Sequence, residues 1–159
     1  MLWTLRPIPG SLEAVALLNQ AGFKVVVASN QSGIGRGLFD MNTLNAIHAK
    51  MHKLVGQAGG HIEGVFFCPH PADSKCNCRK PRTGLFEEIA RRFRVDLKGL
   101  PSVGDAARDL QAALAVGARP ILVRTGKGQR TLDAGGLPDN ISVFDDLQAA
   151  AQFLVAEAA

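Results

Sequence analysis

Four potential metal ligands lie close together near the middle of the sequence. The segment C-P-H-x₅-C-x-C contributes Cys68, His70, Cys76 and Cys78. Three thiolates and one imidazole on a short loop can surround a tetrahedral ion, and zinc is the metal that such ligands favour. Since four protein ligands leave no position for water, we expect this zinc to be structural. The alternative is a reactive or simply buried group of thiols.

A polar segment follows the first apolar run that has the composition of a β-strand. It reads Ser29, Asn30, Gln31, Ser32 and then glycine. A hydroxyl, an amide and the N–H groups of such a turn can converge on a phosphate. These residues are therefore candidate phosphate ligands, and a polar turn without a ligand is the alternative.

Two further segments place charge after a loop or a short strand. Arg79 and Lys80 follow the cysteine loop directly and offer a planar fork and a point charge to oxyanions; a solvated basic turn is the alternative. Asp105 ends the short strand Val103-Gly104-Asp105, and Asp109 lies four residues on. A carboxylate at this place suits Mg²⁺, whereas helix capping is the alternative role for Asp105.

Apolar runs alternate along the chain with helical patterns, which predicts an α/β fold with a doubly wound parallel sheet. In such sheets ligands bind beyond the carboxyl ends of the strands, where the polar segments lie. His48 and His52 lie on one predicted helix and are expected on a solvated face. The predicted strands are 24–28, 65–67, 102–103, 121–123 and 141–144, and the helices begin near Ser11, Asp40, Thr83, Ala107 and Asp145, with a glycine-rich loop through Gly136.

Composition limits the class of protein. The chain has 159 residues, 47% of them hydrophobic, which suits one globular domain over residues 1–159. No apolar run is long enough to span a membrane and the start lacks a signal-peptide pattern, so we expect a soluble, cytoplasmic protein without membrane partners. The charge of +4 permits a zinc-containing nucleic-acid binder, but the absence of tyrosine and the 6% aromatic content disfavour base stacking.

Taken together, the motifs resemble the D-glycero-D-manno-heptose bisphosphate phosphatases of the haloacid dehalogenase superfamily, over nearly the whole chain. The motifs are S-N-Q-S-G at 29–33, R-G-L-F-D at 36–40, the cysteine loop, R-K-P at 79–81, V-G-D at 103–105 and R-T-G-K at 124–127. The resemblance implies a Rossmann-like fold without a large cap domain, a structural zinc, a catalytic Mg²⁺ and a small sugar phosphate as substrate. We expect a monomer.

The resemblance also implies roles for individual residues. Ser29 would bind the transferring phosphoryl group with help from Asn30, in the segment that includes Gln31 and Ser32. Lys80 would stabilise its charge, Arg79 would contribute to substrate recognition and Asp105 would bind the magnesium. The reaction of this family uses an aspartate nucleophile, which forms an aspartyl-phosphate, and a second aspartate two residues later as general acid and base.

The sequence departs from this family in one respect that bears on activity. The family carries an apolar strand ending in D-x-D-G-T, at the centre of the sheet, and no D-x-D occurs in the 159 residues. We therefore expect the chain as written to be inactive and unstable or rearranged, and we expect the working protein to be longer. Histidinol phosphate phosphatase and a zinc-stapled, phosphate-binding domain without turnover are the alternatives.

Overall fold

The computed structural model describes residues 10–30, 40–70, 75–139 and 141–159. Six helices and five strands alternate along these residues, as the sequence predicts for an α/β protein. No helix among the described residues is long and apolar enough to cross a membrane. In chain order the elements are α1 Ser11–Gln20, β1 Val25–Asn30, α2 Met41–Gln57, β2 Ile62–Cys68, α3 Gly84–Phe93, β3 Pro101–Gly104, α4 Ala107–Ala115, β4 Arg119–Val123, α5 Gly128–Ala134, β5 Ser142–Phe144 and α6 Leu147–Ala158.

The chain divides into two compact units, one formed by residues 1–74 with 151–159 and the other by residues 75–150. The strands follow this division. β1 and β2 form a two-stranded parallel sheet, and β3, β4 and β5 form a three-stranded parallel sheet with β4 in the middle. The resemblance implied a strand at the centre of one sheet. Among the described residues, no strand joins the two sheets. The prediction of a single domain over residues 1–159 stays a prediction.

In the first unit, helices α1 and α2 pack on the β1–β2 sheet. Val15, Val55 and Ile62 are the buried centre of this core, and partly buried aliphatic side chains from α1, α2 and both strands surround them. α2 begins where the sequence predicts, because the Asp40 side chain accepts a hydrogen bond from the Thr43 N–H at 2.8 Å. Such a cap satisfies one of the donors that a helix N-terminus leaves unpaired.

In the second unit, the central strand β4 is the most buried element. Ile121 and Leu122 have no exposed surface, as expected for the middle strand of a parallel sheet with both faces covered. β3 and β5 pair with β4 in parallel, with Gly104 opposite Leu122 and Phe144 opposite Val123. The carboxyl ends of all three strands therefore lie at one edge of this sheet.

Two local predictions are wrong in detail. The glycine-rich loop that was expected to run to Gly136 contains helix α5. Thr83 stands at the N-cap position of α3, as predicted, but its side chain does not cap the helix; the Thr83 hydroxyl donates to the Glu87 carboxylate at 2.9 Å instead. In both segments, side-chain and tertiary contacts outweigh the local signal.

Candidate active site and metal cluster

The predicted phosphate segment and the cysteine loop begin at the same edge of the first sheet. In the parallel register of β1 and β2, Ser29 lies opposite Phe67 and Asn30 lies opposite Cys68. Ser29 is half-buried at the end of β1. Gln31 and Ser32, the other two residues of the predicted segment, lie outside the described residues. The register therefore brings Ser29 and the backbone of Asn30 to the strand pair from which the cysteine loop starts.

The four predicted zinc ligands come together. The side-chain ligand atoms of Cys68, His70, Cys76 and Cys78 all lie within 4.8 Å of one another. Sulfur ligands of a tetrahedral zinc ion are separated by about 3.8 Å, given Zn–S bonds of about 2.3 Å, so the four ligand atoms are near enough to one another to be shared by a single ion. Cys68 is fully buried at the end of β2, and its Sγ lies 3.3 Å from Nδ1 of His70.

The sulfurs of this cluster can form a disulfide instead of binding a metal. Cys68 and Cys78 are joined as a disulfide in this structure, whereas Cys76 remains a thiol. A disulfide and zinc ligation require the same sulfur atoms, so they are mutually exclusive states of one cluster. The chemistry of the donor set, three sulfurs with an imidazole on one segment, fits a metal.

The segment after the cysteines is folded tightly onto their backbone. The Arg82 guanidinium donates to the carbonyl of Cys76, and Gly84 donates its N–H to the carbonyl of Asn77 at 2.8 Å. A Cβ at Gly84 would lie 2.5 Å from that same oxygen, so only glycine permits this approach. Neither Arg82 nor Gly84 was singled out from the sequence, because only the folded loop shows what they contact.

In the second unit, Lys80 and Asp105 are linked through Asp109. Lys80 Nζ lies 2.7 Å from Oδ1 of Asp109, and both side chains are nearly buried, with 11% and 14% of their surface exposed. The other oxygen, Oδ2 of Asp109, accepts the backbone N–H groups of Asp105 at 3.3 Å and of Ala106 at 3.1 Å. The Asp109 carboxylate thus holds the Lys80 ammonium group beside the end of β3.

Asp105 is not the helix cap that the alternative prediction proposed. The carboxylate that satisfies the N–H groups before α4 is that of Asp109, while Asp105 Oδ2 accepts the backbone N–H of Lys127 at 3.0 Å. Oδ1 of Asp105 has no hydrogen-bond partner within the described part of the chain. A carboxylate with one fixed oxygen and one open oxygen fits a magnesium ligand, because Mg²⁺ is bound through few carboxylates together with phosphate oxygens and water.

The arginine next to Lys80 has an unsatisfied donor. Nη1 of Arg79 is buried and has no hydrogen-bond partner among the residues described. Burying a polar group without a partner costs free energy, so a buried guanidinium nitrogen of this kind is suited to an oxyanion. Nε of Arg108 on α4 is also buried without a hydrogen-bond partner among the residues described, and no sequence pattern pointed to this residue.

The histidine pair on α2 is only partly solvated. His52 is exposed, as predicted, but His48 is half-buried and its ring lies against that of Phe67, with 5.8 Å between the ring centroids. Burial of the imidazole, with a smaller effect from His52, lowers the pKa of His48 from its ordinary value of 6.5. His48 therefore belongs to the packing of α2 on β2.

The second unit matches a known class of hydrolase. Residues 77–150 match the HAD-hydrolase-like family. This stretch includes both predicted charge segments, at Arg79–Lys80 and at Asp105. The match covers the three-stranded sheet and the carboxylate cluster at the end of β3.

Whole-chain comparisons are more specific. The D-glycero-beta-D-manno-heptose-1,7-bisphosphate 7-phosphatase of Bordetella bronchiseptica is 55% identical over 151 residues, which are 95% of this chain and 84% of the relative. The enzyme of the same name from Pseudomonas putida is 50% identical over 94% of this chain and 85% of its own. A crystal structure of the B. bronchiseptica phosphatase, complexed with magnesium and phosphate, aligns with a TM-score of 0.92 over 94% of this chain and 84% of that one. The chain belongs to this family of phosphatases.

Proposed function

We propose that this protein, when it carries the apolar strand ending in D-x-D-G-T, removes the C7 phosphate of D-glycero-D-manno-heptose 1,7-bisphosphate with Mg²⁺ as activator. The observation that carries the proposal is the arrangement of Lys80, Asp109 and Asp105 at the end of β3. This arrangement occurs in a chain that is 55% identical to a phosphatase named for that substrate. The similar crystal structure that contains magnesium and phosphate supports both the metal and the ligand class.

The residues of this chain would act mainly by position and charge. Phosphoryl transfer requires neutralisation of charge on the phosphoryl oxygens, for which Lys80 and the Ser29 hydroxyl are suited. Asp105 would hold the Mg²⁺, which supplies further charge stabilisation when bound. Arg79, whose buried Nη1 has no hydrogen-bond partner in the described part of the chain, would bind a substrate oxyanion. Asn30, Gln31 and Ser32 would complete the phosphate contacts.

The nucleophile is the part that this chain does not provide. The family uses the first aspartate of D-x-D, and none of the 159 residues forms such a pair. Positioning and electrostatics without a nucleophile cannot form a covalent phosphoryl intermediate. We therefore expect the chain as given to bind phosphate esters without hydrolysing them.

The activity test compares two proteins. One is the chain as given, and the other carries an apolar strand ending in D-x-D-G-T ahead of residue 1. We expect Mg²⁺-dependent phosphate release from heptose 1,7-bisphosphate only with the second protein, and its loss in the Asp105→Asn variant of that protein. Inactivity of the extended protein on every sugar phosphate would refute the proposed function. Mg²⁺-dependent release by the chain as given would refute the expected need for D-x-D.

Histidinol phosphate is the alternative substrate, because the resembled motifs occur in phosphatases of both kinds. The ratio of kcat/KM values for the two substrates decides between them, since specificity is a difference in transition-state binding. We expect the heptose bisphosphate to be preferred. A higher kcat/KM for histidinol phosphate would assign the second function.

We further propose that the Cys68, His70, Cys76 and Cys78 cluster binds one structural zinc ion. Its close ligand spacing supports the proposal. The test is metal content together with thiol titration in denaturant after chelation. A zinc protein gives one zinc and three reactive thiols per chain, whereas a disulfide-bonded protein gives no zinc and one thiol. The second result would refute zinc binding.

The remaining proposals concern the setting in which the enzyme works. We propose a cytoplasmic monomer whose partner is the sugar phosphate alone, with no nucleic acid and no membrane. Light scattering at several concentrations tests the monomer, and a dimer mass would contradict it. Salt-dependent binding of oligonucleotides would contradict the absence of a nucleic-acid partner.

A further inference from the structure

We infer that the turn after β4, residues 124–127, is a positioning element for the Asp105 carboxylate. The inference rests on the proposed function, in which Asp105 binds Mg²⁺. Asp105 leaves the end of β3, and the turn leaves the end of the neighbouring strand β4 at the same edge of the sheet. The backbone N–H of Lys127 donates to Asp105 Oδ2 at 3.0 Å. One carboxylate oxygen is thus fixed by the turn, and the other has no hydrogen-bond partner among the residues that the structure describes.

The turn can approach the carboxylate this closely because residue 126 is glycine. Gly126 has φ of 60°, and a Cβ built on it would lie 2.4 Å from Asp105 Oδ2. That distance is well inside van der Waals contact, so any side chain at position 126 would displace the oxygen. Gly128, the first residue of α5, must also lack a side chain, because a Cβ there would overlap the Val123 carbonyl oxygen.

A third contact holds the backbone of the same aspartate. The Thr131 hydroxyl, in helix α5, lies 2.7 Å from the carbonyl oxygen of Asp105 and 3.0 Å from that of Lys127. With one proton, the hydroxyl donates to one of these acceptors at a time, and the shorter distance favours Asp105. The segment after β4 therefore holds Asp105 through its carboxylate and through its carbonyl.

Fixing a carboxylate in this way matters for Mg²⁺ because the ion demands near-ideal octahedral geometry. Groups that orient a metal ligand typically change metal affinity by about 10–100-fold when removed. We therefore assign Gly126, the Lys127 N–H and Thr131 to the positioning of Asp105. None of them needs to contact substrate for this role.

The test uses Gly126→Ala with Gly136→Ala as its matched control. Both glycines have positive φ, 60° and 72°, but a Cβ at Gly136 would have nothing within 4 Å. Both substitutions carry backbone strain, and only the first one meets Asp105. Binding of Mn²⁺, as a paramagnetic substitute for Mg²⁺, is measured on the full chain by electron paramagnetic resonance, with amide exchange at Lys127 measured in parallel.

We expect Gly126→Ala to weaken Mn²⁺ binding by about 10–100-fold and to speed exchange at Lys127, while Gly136→Ala changes neither by more than about threefold. Thr131→Val should weaken Mn²⁺ binding and Thr131→Ser should restore it. Equal Mn²⁺ affinity in the two alanine variants would overturn the inference. Absence of Mn²⁺ binding in the unmodified chain, with Lys127 still protected, would show that the hydrogen bond is real but that Asp105 does not bind metal, which is a failure of the proposed function.

Discussion

Breaking the ion pair between Lys80 and Asp109 should cost more stability than breaking an exposed pair of similar length. At 2.7 Å and an effective dielectric constant of about 20, the Coulomb attraction is about 6 kcal/mol before desolvation and side-chain entropy are subtracted. Loss of one partner of a fully buried pair costs about 3–5 kcal/mol. Since 11% and 14% of these side chains remain exposed, we expect a coupling energy of about 2–3 kcal/mol.

A double-mutant cycle measures this coupling. The variants are Lys80→Met, Asp109→Asn and the double variant, because asparagine keeps an acceptor for the N–H groups of Asp105 and Ala106 while it removes the charge. Free energies of unfolding come from urea titrations followed by circular dichroism. The double variant should be more stable than the sum of the single effects predicts.

The chain offers a matched control in the pair of Arg124 and Asp145. Their N–O distance is 2.6 Å, but 44% and 80% of the two side chains are exposed. Exposed pairs contribute about 0.2–1 kcal/mol, so the same cycle with Arg124→Met and Asp145→Asn should give a coupling in that range. A coupling energy for Lys80 and Asp109 no larger than that of the control pair would refute the argument that burial strengthens the ion pair.

Three further predictions concern stability elsewhere in the chain. Gly84→Ala should destabilise the protein by more than about 1 kcal/mol, because its Cβ would meet the Asn77 carbonyl at 2.5 Å, and unchanged urea unfolding would contradict the observed turn. Gly56→Ala should instead stabilise the protein by about 0.5–1 kcal/mol, because alanine favours the helix more than glycine does and a Cβ at position 56 would have no atom within 4 Å. A lower melting temperature of this variant would contradict the prediction. The lowered pKa of His48 means that the unfolded chain binds a proton at this residue more tightly than the folded chain does. The contribution of His48 to the free energy of unfolding is therefore fully present above pH 6.5 and declines as the pH falls through 6.5. His48→Gln should reduce this decline in melting temperature between pH 7.5 and 5.5, and an identical decline in both proteins would show that His48 is not its source.

The sequence predicted some features of the candidate site that the structure shows, because the signals for them are local. The cysteine spacing places four potential metal ligands on one short segment, whatever the surrounding fold. Asp40 caps α2 because the hydrogen bond joins residues three apart. Polar residues after apolar runs lie at strand ends, and parallel strands bring these ends to common edges. The alternation of strands and helices was confirmed for the same reason.

The sequence could not show which charged groups meet. Lys80 and its ion-pair partner Asp109 are 29 residues apart. The Asp105 carboxylate and the Lys127 backbone N–H that donates to it are 22 residues apart. Each contact therefore depends on how strands and helices pack. The sequence also did not predict helix α5 or the packing of His48 on Phe67. Each of these depends on the shape of the folded neighbourhood.

The sequence by itself determined the residue types that can bind a metal and a phosphate, and the order in which strands and helices present them. Only the tertiary structure decided that Asp109, and not Asp105, receives the N–H groups before α4 and holds Lys80. It also decided that Gly126 must lack a side chain, because the register of β3 and β4 brings the following turn against Asp105. Residue type sets what a group can do, whereas strand register and helix packing set which groups come within hydrogen-bonding distance.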